Sequence, residues 1–168
     1  LFIFKCIMKI LKNIPSMDDN AICRLFVNAQ RLLLTNKQNS DAKLVLEAIK
    51  VEWEKRLKLF EAGNYKATTP ENGVLSVVGY KVGNEGEKPA IRQQMLDYII
   101  SDVLPPVSSP AYMAEWGEKL SPQRYRKLHR VIQVLASSGQ TMGNMEKAVN
   151  EWKADLKYIE DKWAPVVK

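Results

Sequence analysis

Between Met145 and Trp163 the apolar residues recur at alternating steps of four and three, the spacing of one face of an α-helix. The residues on this stripe are Met145, Val149, Trp152, Leu156, Ile159 and Trp163. Such a stripe has to be buried, and three heptads are more typical of packing within one chain than of a coiled-coil dimer. We therefore expect a helix from about Thr141 to Trp163 that packs against another helix of the same chain.

The same spacing predicts two helices near the start of the chain. The first runs from about Met17 to Leu34 with Ser16 as N-cap, and the second from about Asp41 to Ala62 with Ser40 as N-cap. The second helix has a predicted solvated face, made of Glu52, Glu54, Lys55, Arg56 and Lys58. Because only a short polar loop joins the two helices, they are expected to form an antiparallel helical hairpin.

The pattern changes between residues 64 and 88, where glycines and turn residues accumulate. The β-branched run from Val74 to Val82 fits either a strand of a short β-hairpin or a buried connector. A third helix is expected to start at Pro89, and the proline-rich segment Leu104 to Pro110 is predicted to be a stiff linker.

Two Ser-Pro pairs mark further helix starts, because serine is a good N-cap and proline suits the first helical position. Ser109-Pro110 begins a short helix that Gly117 ends, and Ser121-Pro122 begins a longer helix that Gly139 ends. The two helices and their short loop have a helix–turn–helix outline.

These elements predict a mainly α fold with an N-terminal helical hairpin, a glycine-rich connector and a C-terminal helical bundle containing the helix–turn–helix-like segment. Residues 1–16 are interpreted as a terminal extension and residues 17–168 as one helical domain. Its subdivisions would be the hairpin (17–63), the connector (64–88) and the bundle (89–168).

Composition narrows the class of protein. The chain has 168 residues, 46% of them hydrophobic, and a formal net charge of +6, which favours anionic partners. Two cysteines make no disulfide framework, so a cytoplasmic location is the default. The apolar run from Leu1 to Leu11 is too short to span a membrane, so no membrane partner is expected.

Since Leu1 is not an initiator, we take as a hypothesis that Met8 is the natural start.

The stretch from Ser121 to Arg130 carries four positive charges and no acid. Its four basic residues are expected to contact phosphate, and a fifth residue in the glycine segment is expected to be an outlying contact: Arg124, Arg126, Lys127, Arg130 and, outlying, Lys81. A basic helix face of this kind suits the phosphate backbone of nucleic acid, so non-enzymatic nucleic-acid binding is the favoured function. An ordinary solvated helix face is the alternative interpretation of the same charges.

Two other functions stay open. One is a protein-interaction or oligomerisation module, monomeric or homodimeric, in which the last helix or the hairpin offers an apolar surface. The other is a small enzyme, for which Tyr80, Lys81 and Glu85 would be examined first. The glycine segment after Val78 matches neither a Walker loop nor a dinucleotide fingerprint, and His129 has no second histidine beside it. No catalytic residue, metal ligand or cofactor is therefore assigned.

One further pattern spans most of the chain after Pro15. Its central elements are Gly79-Tyr80-x-Val82-Gly83, Tyr112-Met113-x-Glu115-Trp116-Gly117, Ser121-Pro122-x-Arg124 and Trp152-x-x-Asp155-Leu156. In these motifs the chain resembles a group of small uncharacterised bacterial proteins. The resemblance implies a bacterial, cytoplasmic origin and no particular activity.

Overall fold

Helices make up most of the chain in this computed structural model, which describes residues 2–69 and 73–167, with side chains from Ile7 onward. The α-helices in these ranges are α1 (Phe2–Asn13), α2 (Asp19–Thr35), α3 (Ser40–Glu61), α4 (Gly73–Val77), α5 (Pro89–Ser101), α6 (Pro110–Trp116), α7 (Pro122–Gln140) and α8 (Glu146–Trp163). A single 3-10 turn, Ile14–Ser16, follows α1. Neither range contains a strand, and the mainly α fold class is confirmed.

The β-hairpin considered for the connector is wrong. The β-branched run begins as the short helix α4, and its residues Val74, Leu75, Val77 and Val78 are all buried. Burial on several sides at once suits a single helical turn better than a half-exposed strand, so packing overrides the β propensity of valine. The turn that follows the helix includes Gly79, whose φ is +87°. A Cβ there would lie 2.6 Å from Cγ2 of Val27, so this turn requires glycine.

The chain divides into two compact units. Unit 1 comprises Leu1–Gly79 and Val103–Pro110, and unit 2 comprises Tyr80–Asp102 and Ala111–Lys168. The first change of unit falls inside the predicted connector. The segment interpreted as a stiff linker belongs instead to unit 1, where Leu104 and Val107 are buried and Thr69 donates a hydrogen bond to the carbonyl of Pro106 at 3.0 Å.

Unit 1 is built on α2 and α3, which pack against each other, with α1 in contact with α3. The rings of Phe26 and Trp53 meet in its core, with their centroids 5.0 Å apart. Residues 1–16 differ from the predicted terminal extension, because α1 and the 3-10 turn place Ile7 and Ile14 in the core.

Unit 2 is organised around α8, which packs against both α5 and α7. Three residues of the predicted stripe, Val149, Trp152 and Ile159, are buried, although the helix starts at Glu146 rather than near Thr141. Gly139 lies inside α7 and does not end it. A Cβ on Gly139 would lie 2.8 Å from Val149 and 2.9 Å from Trp152, so glycine here lets α7 and α8 approach closely.

The N-terminal caps of α2, α3 and α7 are side chains that accept a hydrogen bond from a backbone amide in the first turn of the helix. Ser121 is the N-cap of α7 as predicted, with its hydroxyl accepting a hydrogen bond from the Arg124 amide at 3.1 Å. The predicted caps Ser16 and Ser40 are wrong by one or two positions, because Asp18 caps α2 and Asn39 caps α3. Asp18 and Asn39 are themselves strong N-cap residues, and their side-chain oxygens accept from the amides three positions on.

Candidate functional site: a groove on helix α7

The outer face of α7 is defined by what its inner face buries. Leu128, Ile132 and Ala136 lie at four-residue steps, are buried, and belong to the side that packs on α8. Positions on the opposite side of the helix therefore point away from α8. The predicted basic residues fall on both sides of this boundary, and the structure separates them.

The prediction that Arg124 lies on the basic face and contacts phosphate is wrong. It lies four residues before Leu128 on the buried stripe and is only 6% exposed. Its guanidinium donates to carbonyl oxygens at the ends of two helices. The acceptors are those of Trp116 (3.0 Å), Gly117 (2.7 Å), Ile99 (2.8 Å) and Asp102 (3.1 Å).

The charge of Arg124 is used inside the protein. Burial lowers the pKa of its guanidinium to about 10, which leaves it charged at neutral pH. The carbonyls at the C-termini of α5 and α6 carry the negative end of each helix dipole, and a cation placed there is stabilised. Arg124 therefore holds the corner between α5, α6 and α7 and is unavailable to a ligand.

Three of the predicted residues do come together. Arg126, Lys127 and Arg130 line an open groove of about 840 Å³ on α7, which Glu115 and Gln123 border. The rest of its lining is apolar: Val131, Val134 and Leu135. Val134 is 55% exposed, although it lies within a regular helix. The groove thus combines an apolar floor with a basic edge, a combination that charge counting alone did not predict.

Lys127 is held by its neighbours. Its ammonium forms an ion pair with the Glu115 carboxylate and lies 5.7 Å from the ring centroid of Tyr112 and 6.0 Å from that of Trp116. A cation so placed is attracted to the aromatic faces as well as to the carboxylate. Most of the Lys127 charge is therefore balanced within unit 2.

Arg126 and Arg130 are in the opposite situation. Both side chains are exposed, and within the described ranges neither forms a hydrogen bond or an ion pair. They lie one helical turn apart, about 6 Å along the axis, on the same edge of the groove. The charge available to a partner at this site is that of these two guanidinium groups.

Lys81 does not line the groove. It lies in an exposed position of the loop between α4 and α5, and its carbonyl accepts from the Glu87 amide at 3.0 Å. The loop is tied to α8 by the Gly83 amide, which donates to the Glu151 carboxylate at 2.7 Å. The structure thus leaves Lys81 outside the set formed by Arg126, Lys127 and Arg130.

A buried ionic cluster beneath this loop was not predicted. Arg92 donates through Nε to the Asp155 carboxylate at 2.7 Å, and the Tyr80 hydroxyl donates to the same oxygen at 2.7 Å. Arg92 also donates to the Glu87 carbonyl at 2.8 Å. Burial, and then the charge of Asp155, raise the pKa of Tyr80 well above its ordinary value. Tyr80 therefore keeps its proton at neutral pH and acts as a structural donor.

Unit 1 contains a second such cluster. The Asp19 carboxylate is fully buried and accepts from Arg56 (2.8 Å), from the Tyr65 hydroxyl (2.9 Å) and from the Thr68 amide (2.8 Å). Arg56 also donates to Glu52 at 2.7 Å. Glu52 and Arg56 were predicted to lie on a solvated face, and that prediction is wrong for both residues.

Both clusters are structural in character. Every carboxylate oxygen of Asp19 and Asp155 accepts at least one hydrogen bond from the protein itself. Each cluster could have been recognised in the sequence from a charged residue that stands where the spacing of a buried apolar stripe calls for an apolar one. Asp155 lies three positions after Trp152 and four before Ile159.

Within residues 2–69 and 73–167 no group of three histidine, cysteine or acidic side chains is placed to hold a metal ion. In that part of the chain no helix has both the length and the apolar character needed to cross a membrane.

Comparison with known proteins adds no identification. The chain matches no known protein family, no curated protein and no solved structure. Its function must therefore be inferred from the chemistry of the groove.

Proposed function

We propose that unit 2 is a protein-binding module and that the groove on α7 receives an amphipathic helix with an apolar stripe and an acidic edge. The observation that carries the proposal is the coexistence of exposed Val134 with unpaired Arg126 and Arg130 in one groove. Nucleic acid would use the charges alone, whereas a helix of this kind would use both features.

The apolar floor supplies the affinity. Burying a valine or leucine side chain fully is worth about 1.5–3 kcal/mol relative to leaving it exposed. The three apolar side chains of the floor are already partly covered, and so each contributes less than this. Their burial under a partner is nevertheless the main favourable term, because exposed ion pairs contribute little net free energy.

The shape of the groove fits a helix better than a small molecule. From Gln123 to Leu135 the groove follows α7 for about 18 Å, or a little over three helical turns. It is open along this length, whereas small-molecule sites enclose most of their ligand. An amphipathic helix laid in an apolar groove is a common mode of peptide recognition.

The basic edge supplies orientation. Arg126 and Arg130 lie on one side of the floor, so a bound helix would place its acidic residues on that side. Because neither arginine has to leave a partner among the residues that the structure describes, pairing with a carboxylate breaks no interaction seen there. Complementary charge of this kind acts chiefly on specificity and on the rate of association.

The test uses a fluorescein-labelled helical peptide with leucines at positions i, i+3 and i+7 and glutamates along one edge. Its binding to the full chain is followed by fluorescence anisotropy. Val134→Asp should weaken binding by about tenfold or more, which is about 1.4 kcal/mol. Val166→Asp is the matched control, since Val166 is also exposed but lies outside the groove. Equal affinity of V134D and V166D would refute the proposal.

The basic edge is tested separately. The double variant Arg126→Ala/Arg130→Ala should weaken binding of the acidic peptide, while its effect on a peptide with glutamines in place of glutamates should be small. Lys119→Ala/Lys153→Ala removes the same charge from exposed positions outside the groove and should leave both affinities unchanged. A loss that is the same for both peptides would show that the arginines do not contact the acidic edge.

Nucleic-acid binding is the second candidate, and the unpaired arginines favour it. With Arg124 buried and Lys127 paired, only about two phosphates would be neutralised at this face. The logarithm of the affinity for duplex DNA should then fall with log salt at a slope of about −1.8. A steeper slope that is unaffected by R126A/R130A would place any DNA contact elsewhere on the chain.

A further inference from the structure

The charge and the apolar surface of the groove on α7 belong to different ends of the helix. Every arginine and lysine of α7 lies between Arg124 and Arg130, and no charged residue occurs from Val131 to Met145. The midpoint of Arg126 and Arg130 is about five residues, or about 8 Å along the axis, from the middle of the apolar floor. The groove thus has a basic end toward the N-terminus of α7 and an uncharged apolar end toward its C-terminus.

This gradient determines where a bound helix carries its acidic residues. An apolar side chain that covers Val134 and a carboxylate that reaches Arg126 or Arg130 come from different turns of the partner, about five residues apart. Glutamates at the other end of the partner would lie over Val134 and Leu135, where they would lose water without gaining a cation from α7. A matching partner is therefore apolar at one end and acidic at the other.

The backbone groups at the ends of a helix determine the direction in which it binds. The last turn of a helix leaves four carbonyl oxygens without partners, whereas the first turn leaves four N–H groups. An arginine side chain has five N–H donors and no acceptor, so Arg126 and Arg130 can bind carbonyls of a last turn but not amides of a first turn. The positive end of the α7 dipole lies at the same end of the groove and acts in the same direction.

The same chain already contains a contact of this kind. Arg124 donates four hydrogen bonds to carbonyl oxygens at the C-terminal ends of α5 and α6. Arg126 and Arg130 carry the same group on the exposed side of α7, where neither has a partner among the described residues. Glu115, the acid that borders the groove, is paired with Lys127 and leaves the two arginines uncompensated.

We propose that the partner of the groove is the C-terminal end of an amphipathic helix, apolar in its earlier turns and acidic in its last turns, bound antiparallel to α7. Its last turn then lies against Arg126 and its apolar turns lie on Val134. This inference rests on the proposed function, to which it adds the order of the partner's residues and the direction of binding.

Two peptides of identical composition test the order. One carries its glutamates in the last two turns, after the leucines, and the other carries them in the first two turns. Free helices favour acids in the first turn, so both peptides are hydrocarbon-stapled, and circular dichroism checks that they are equally helical. By fluorescence anisotropy the acid-last peptide should bind the full chain about tenfold or more tightly than the acid-first peptide. Equal affinities, or tighter binding of the acid-first peptide, would overturn the proposal.

The same assay shows whether the arginines cause the preference. Arg126→Ala/Arg130→Ala should reduce the difference between the two peptides to about twofold or less, because no donors are left for the last turn. Lys119→Ala/Lys153→Ala removes the same charge at exposed positions outside the groove and should leave the preference unchanged. A preference that survives in R126A/R130A would overturn the proposal.

Disulfide trapping tests the direction independently. Ser138 is exposed and lies one helical turn after Val134, at the apolar end of the groove. In a Cys6→Ser background with Cys23 buried, Ser138→Cys should capture the acid-last peptide through an activated cysteine at its N-terminus and not through one at its C-terminus. Lys153→Cys, at an exposed position outside the groove, should capture neither. Equal capture through both ends, or capture through the C-terminus alone, would overturn the antiparallel direction.

The outcomes separate this inference from the proposed function. If both peptides bind with equal affinity and Val134→Asp weakens both, the order and direction are overturned and the proposed function stands. If neither peptide binds, both are overturned.

Discussion

Replacing Arg124 by methionine should destabilise unit 2 by about 3–5 kcal/mol. Methionine keeps the apolar stem within the buried stripe but removes the donors that four carbonyl oxygens use at the ends of α5 and α6. Hydrogen bonds to a charged group are worth about 1.5–3 kcal/mol each. Counted singly, the four bonds represent at least about 6 kcal/mol.

An opposing term reduces this loss. The methionine variant no longer buries a guanidinium without a carboxylate partner. The fall of the Arg124 pKa from 12.5 to about 10 on burial corresponds to a cost of about 3 kcal/mol. The difference between the two terms is at least about 3 kcal/mol, and it agrees with the usual loss when one partner of a buried charged network is removed.

The assay is equilibrium unfolding in urea, followed by the fluorescence of tryptophan. Three of the four tryptophans, Trp116, Trp152 and Trp163, belong to unit 2, so the signal reports mainly on that unit. In a unit of this size a loss of 3 kcal/mol should lower Tm by about 12 °C or more. Arg124→Lys should recover only part of the stability, since one ammonium cannot serve both helix ends.

A loss smaller than about 1 kcal/mol, or a gain, would refute the reasoning, because the cost of burying the charge would then equal or exceed the value of its hydrogen bonds. A phosphate-contacting residue would behave in just that way, with normal stability and weakened binding. The same variant therefore distinguishes the two roles that sequence and structure assign to Arg124.

Three further predictions concern unit 1. Gly79→Ala should destabilise the chain more than Gly63→Ala. Both glycines have positive φ, but of the two only Gly79 is placed so that an added Cβ would meet another side chain. Equal losses of unfolding free energy in urea would contradict this prediction. Burial raises the pKa of the Cys23 thiol to about 12. In a Cys6→Ser variant, Cys23 should therefore react with a thiol reagent at pH 8 only after the chain unfolds. Rapid reaction of the folded chain would contradict this prediction. Burial, and then the hydrogen bond to Asp19, raise the pKa of Tyr65 from 10 to about 12, so the folded state holds this proton more tightly. The resulting stability is present below about pH 10 and is lost as pH rises to about 12, and Tyr65→Phe should reduce that slope in unfolding free energies measured across this range.

Local signals were sufficient for most of the helices. The start of α7 was predictable because Ser121 and Pro122 act within one helical turn, and α8 because its buried face is a regular stripe. The helix α4 was not predictable from its valines. What decides its conformation is burial by distant parts of unit 1, and a window of nine residues contains no information about them.

The sequence predicted the exposed arginines of the groove but not its apolar floor. The exposure of Arg126 and Arg130 follows from their place opposite the buried face of α7. Arg124 was assigned to the same face because its charge was given more weight than its spacing, although it precedes Leu128 by four residues. The apolar floor at Val134 was missed because a helix that packs on one neighbour is expected to have one apolar face, and α7 has a second.

The division of the chain has a consequence for how the protein is made. Unit 1 is completed by Val103–Pro110, which follow a whole helix of unit 2 in the chain. During synthesis, α2 and α3 therefore emerge well before the segment that supplies Leu104 and Val107 to their unit. By then α5 has also been made, but its partners α7 and α8 have not. Until the rest of unit 2 has been made, apolar surfaces of both units are exposed on the nascent chain at the same time. We expect a chaperone to bind the chain most readily at this stage of synthesis.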